Sequence, residues 1–99
     1  FHMIAKDMRG NLCGEFMGGA YAESSDGIHW EFEKGFCSYS RKVLWEDGVI
    51  RQMGNIERPF ILFEEGKPTH MFFAASDGNE TDGFMACKNT WNMVIPLRR

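Results

Sequence analysis

Apolar and polar side chains alternate with a period of two along most of the chain, and this pattern predicts β-strands. Phe1, Met3 and Ala5 alternate with His2, Ile4 and Lys6, and the run stops at Asp7. A glycine-containing stretch, Arg9 to Gly19, separates it from a segment of small and polar residues, Ala20 to Ser25. Asp26-Gly27 then predicts a turn into His29–Glu33, where Trp30 and Phe32 share a face. Asp47-Gly48 between Val43–Glu46 and Val49–Met53 predicts a second hairpin. The Glu64–Lys67 turn between Pro59–Phe63 and Thr69–Ala75 predicts a third. A loop from Asp77 to Gly83 and a short Phe84–Cys87 segment lead to a last apolar strand, Asn92–Leu97. No window carries a helical stripe, so the fold class is all-β.

Phe60–Phe63 and Met71–Ala75 are apolar at consecutive positions, which predicts strands covered on both faces. Seven or eight short strands suit a small sandwich or barrel, or two four-stranded propeller blades of about 40–50 residues each.

Composition removes some functions and adds none. The 99 residues carry 14 acidic and 11 basic side chains, a net charge of −3, where a nucleic-acid binder needs a basic surface. No apolar run is long enough for a membrane-spanning helix. Phe1 opens directly on a strand pattern, without the charged and apolar regions of a signal peptide. Cys13, Cys37 and Cys87 are odd in number and form no CxxC pair, so they read as small hydrophobes and not as a metal or disulfide framework. The triplet Asn79-Glu80-Thr81 has the form of a glycosylation acceptor, a pattern common by chance.

Ser24-Ser25-Asp26-Gly27-Ile28-His29-Trp30 resembles the S-x-D-G-x-x-W hairpin found in blades of carbohydrate-active propellers. A serine or aspartate oxygen there takes up backbone N–H groups, and the tryptophan fills a gap. More specific is an ordered set: Met3–Met8, Asn55-Ile56-Glu57-Arg58-Pro59, Gly66–Phe72 and Thr90–Leu97. In order and spacing this set is similar to the C-terminal part of glycosidases related to glycoside hydrolase family 43, five-bladed β-propeller enzymes.

The resemblance covers almost the whole chain, and it implies a fragment of about two blades, one over residues 1–53 and the next over 54–99. It implies an inverting glycosidase whose partners are a carbohydrate substrate and the remaining blades, with neither metal nor cofactor. By the resemblance, Glu57 is the general acid, Asp7 the aspartate that tunes the acid's pKa, and Arg58 and Trp91 contact substrate; the base lies in an earlier blade. Arg58 departs from the small residue usual between the family's glutamate and proline. The chemistry needs one carboxyl that holds its proton and another that activates water.

Read without the resemblance, Asp7 is a strand-ending turn residue. Glu57 beside Arg58 is then a surface ion pair, Trp91 a core residue, and His2, His29 and His70 structural or exposed. Two other functions fit the same composition: a carbohydrate-binding β-module, and a non-catalytic propeller-like interaction domain.

Overall fold

The computed structural model describes residues 1–79 and 81–97. Glu80, in the middle of the Asn79–Thr81 triplet, and the closing Arg98-Arg99 lie outside the described residues. The chain forms two compact units, Phe1–Gln52 and Met53–Arg99.

The first unit holds a three-stranded antiparallel sheet in the order β1-β2-β3, with β1 at His2–Lys6, β2 at Gly19–Glu23 and β3 at Glu31–Phe32. Its central strand carries Ala20 and Ala22, both buried, so small side chains fill the middle of the sheet. Gly19 sits where a Cβ would run into the ring of Tyr39, because the 38–39 backbone exchanges hydrogen bonds with Gly19 in both directions. A separate two-stranded ladder joins β4, Lys42–Leu44, to β5, Ile50–Gln52. The Asp47 carboxylate accepts the Val49 N–H at its turn, as the Asp-Gly signal predicts.

The second unit is a three-stranded antiparallel sheet with β7, Lys67–Ser76, between β6, Asn55–Glu64, and β8, Thr90–Pro96. Glu65 and Gly66 both have positive φ, 52° and 77°, which is the two-residue turn that matches strand twist. Cross-strand register puts Ile56, Ala75 and Trp91 on one face, continued by the pairs Phe73–Met93 and Met71–Ile95. Ile56, Met71, Phe73, Ala75 and Met93 are buried, and Ile56 is completely so. Full burial of such a side chain contributes roughly 1.5–3 kcal/mol.

The all-β reading therefore holds, with eight strands among the described residues. The sheets have three, two and three strands in place of two sets of four. Phe84–Ala86 is a single 3-10 turn, because the Asp77 carboxylate collects the N–H groups of Lys88 and Asn89 and curls the connection back. The expectation of apolar strands covered on both faces is also corrected. Phe60 and Phe63 are 63% and 60% exposed, since β6 is an edge strand and only one face of the sheet is buried around Ile56.

Candidate functional site

At Asp7 the first strand ends, and the carboxylate is fully engaged by the loop that follows. Oδ2 accepts the backbone N–H groups of Leu12 at 2.8 Å and Cys13 at 2.9 Å, and Oδ1 accepts that of Gly10 at 3.1 Å. The Asp7 carbonyl takes the N–H of Met17 as well, so loop 8–18 closes around one residue. Burial works to raise the Asp7 carboxyl, but the backbone donors of Cys13, Leu12 and Gly10 outweigh it and hold the group below the usual carboxylate range.

The Ser24–Trp30 segment forms the hairpin loop between β2 and β3, and its polar atoms do what the motif suggests. Ser24 Oγ accepts the N–H groups of Asp26 and Gly27, and Asp26 Oδ1 accepts those of Ile28 and His29, both at 2.8 Å. Asp26 Oδ2 also lies 2.7 Å from His29 Nδ1. The side-chain bond to His29 is the largest cause lowering the Asp26 carboxyl, followed by the two backbone donors. Trp30 lines a cleft of about 890 Å³ with Tyr21, Glu23, His29 and Phe32. In that cleft the Tyr21 hydroxyl donates to Glu23 at 2.7 Å and stands 2.6 Å from His2 Nδ1. The bond to Glu23 is the main cause that raises the Tyr21 phenol.

The second unit has its own cleft, about 470 Å³, where β6 begins, β7 ends and β8 begins. Glu57, half-buried, lines it with Asn55, Ser76, Cys87, Trp91 and Asn92. Two cross-strand rows make the Glu57 face of the sheet at this end: Asn55–Ser76–Thr90 and Glu57–Ala74–Asn92. Five of these six positions are polar, and the small Ala74 stands opposite Glu57 with Asn92 on its other side. Trp91 belongs to the opposite face with Ile56 and Ala75, so it lines the cleft without sharing Glu57's side of the sheet.

Arg58 follows Glu57 at a β-bulge, where Arg58 and Pro59 together oppose the single residue Phe73. Arg58 is exposed with φ 54°, a left-handed conformation disfavoured for a residue that precedes proline. Pro59 fits here because an edge strand at a bulge does not need its N–H. Arg58 is not among the described residues that line the cleft.

Of the four residues singled out in the sequence, Glu57 and Trp91 meet at one cleft, Arg58 adjoins it, and Asp7 belongs to the first unit. Ser76 was not signalled by any motif. It is 3% exposed, and its hydroxyl is buried with no hydrogen-bond partner among the described residues. Only its place across from Asn55, beside the Glu57 row, marks it. Comparison with protein-family models, curated proteins and solved structures gives no match to this chain.

Proposed function

We propose that the chain is part of a propeller-type glycoside hydrolase, in which Glu57 protonates the leaving oxygen while a base from outside this chain activates water. One observation carries the proposal: the glutamate of the Glu57-Arg58-Pro59 motif is half-buried in the polar cleft of the second unit. Around it Thr90 and Asn92 present a hydroxyl and an amide, which suit a neutral, hydroxyl-rich substrate better than an anion. The bulge at Arg58 supports the same reading, since a left-handed non-glycine residue next to a cleft is the kind of local strain that collects at functional sites.

The test is made on the protein that carries this chain, with two aryl glycosides of one sugar that differ in leaving-group acidity. Glu57→Gln is expected to lower turnover of the poor leaving group by 10²-fold or more. Turnover of the activated one is expected to fall much less, because a good leaving group needs little proton transfer. Equal losses on both overturn the acid role. A second reading, a carbohydrate-binding scaffold without catalysis, is favoured by Asp7, whose carboxylate is committed to its own loop. In that case wild type turns over neither glycoside.

A further inference from the structure

We propose that Ser76 recognises one hydroxyl group of a neutral saccharide held in the second unit's cleft beside Glu57, and so discriminates a sugar that carries this hydroxyl from one that lacks it. The proposal rests on the reading of this cleft as a saccharide site, and it adds the residue that discriminates within that class.

The observation is an unpaid hydrogen bond. Ser76 Oγ is buried without a partner among the described residues, although the residue lines the cleft. A buried hydroxyl left in this state is costly, and a polar atom of a ligand in the cleft removes that cost. The backbone leaves Ser76 little freedom to relieve itself. Its carbonyl accepts the Gly54 N–H at 2.9 Å, and it is paired to Asn55 on one side and Thr90 on the other. Gly54 in turn is pressed on the Asp77 carbonyl so closely that no Cβ fits. Ser76 therefore stands on the same face as Glu57, one strand across and one cross-strand row along, a diagonal separation of roughly 7–8 Å. That spacing fits a single sugar ring, with the leaving oxygen at Glu57 and a ring hydroxyl at Ser76. Ala74, directly opposite Glu57 and two residues before Ser76 on β7, has the smallest chiral side chain and leaves the floor open for the ring. A serine hydroxyl both donates and accepts, so it matches a sugar hydroxyl in either sense.

The experiment is calorimetric and needs no turnover. Methyl β-D-xyloside and methyl α-L-arabinofuranoside, each with its monodeoxy derivatives, are titrated into wild type, Ser76→Ala and Ser76→Cys. The cysteine variant retains the volume if the alanine variant folds poorly. Wild type is expected to bind one parent glycoside and to lose tenfold or more on one particular deoxy derivative. Ser76→Ala and Ser76→Cys are expected to bind that parent tenfold or more weakly and to show no preference over the same deoxy derivative. Retention of the wild-type preference in the variants overturns the proposal, as does failure of wild type to bind either glycoside. Equal turnover losses on the two aryl glycosides together with a retained deoxy preference in wild type separate a failed acid role from a failed hydroxyl site.

Discussion

The carboxylate of Asp7 accepts the backbone N–H of Cys13 at 2.9 Å, six residues further along the chain, and thereby holds the loop that separates β1 from β2. Leu12 and Gly10 donate to the same carboxylate. Asp7→Ala is expected to destabilise the first unit by about 1–3 kcal/mol, because the buried Cys13 N–H loses its acceptor. Asp7→Asn keeps one acceptor oxygen and is expected to cost less. Denaturant melts of the three proteins at pH 7 give the ranking, and equal stability of Asp7→Ala and wild type excludes the anchoring role.

The same bonds set the response to acid. A carboxyl lowered in the folded state adds stability that is complete above its unfolded pKa of about 3.9 and is lost as pH falls through the folded value. Asp26 and Asp47 in the first unit and Asp77 in the second are lowered in the same sense. Stability is therefore expected to be flat from neutral pH down to about pH 5 and to fall below pH 4. Asp7→Asn is expected to show a shallower acid slope than wild type. A parallel slope places the depressed carboxyl elsewhere.

The loop from Ser24 to Trp30 makes a separate prediction, because Asp26 Oδ1 is the shared acceptor for Ile28 and His29. In Asp26→Ala the amides of Ile28 and His29 are expected to exchange hydrogen much faster, while the Ala22–Phe32 pairing is retained. Unchanged protection at those two amides removes Asp26 as the organiser of the loop.

Much of this was legible in the sequence, and what was not has identifiable causes. Asp-Gly and Glu-Glu-Gly-Lys signals depend on local backbone geometry, so the turns at 47–48 and 64–67 fall where the pattern puts them, whereas Asp26-Gly27 sits inside the longer loop between Glu23 and Glu31 because the oxygens of Ser24 and Asp26 take up its backbone N–H groups. Sheet membership depends on distant pairing, which periodicity does not encode. Phe60 and Phe72 therefore looked like covered residues, yet they are 63% and 39% exposed on the face opposite Ile56. The Glu57-Arg58-Pro59 motif singled out Glu57, which lines the second unit's cleft, but Ser76 has no motif because its significance lies in what its hydroxyl lacks. Trp91 shows the same limit. Which face of β8 it takes follows from its pairing with Ala75, not from its spacing to Glu57.

That open face gives a prediction of its own. Phe60 and Phe72 pack against each other with ring centroids 6.3 Å apart, yet both remain solvent-accessible. Phe60→Thr places a β-former on an exposed edge position and is expected to change stability by no more than about 0.5 kcal/mol. Self-association, measured by sedimentation, is expected to decrease, because an exposed apolar edge strand is a template for pairing. A large loss of stability means that Phe60 is held by contacts that its exposure does not reveal.

Cys87 lines the second unit's cleft, whereas Cys13 and Cys37 belong to the first unit. Cys13 is buried, and its carbonyl accepts the Cys37 thiol at 3.3 Å. Burial is the main cause that pushes the Cys37 thiol up to about 12, helped by its hydrogen bond with Cys13 and by the nearby charges of Glu15 and Asp7. Because the thiolate is the reactive form, Cys37 is expected to react slowly at pH 8 despite its partial exposure. Cys87 is half-buried and lines the cleft with Glu57 and Ser76. Iodoacetamide at pH 8 is therefore expected to add one label to the native protein, and peptide mapping to find it on Cys87. Cys13 and Cys37 are expected to react only after denaturation. A carbamidomethyl group on Cys87 occupies space beside Glu57 and Ser76, so methyl glycoside binding is expected to weaken at least tenfold in the labelled protein. Saturating glycoside is expected to slow the labelling in return. Labelling that starts at Cys37 contradicts its raised thiol, and a Cys87 adduct that leaves glycoside binding untouched contradicts the placement of the ligand in this cleft.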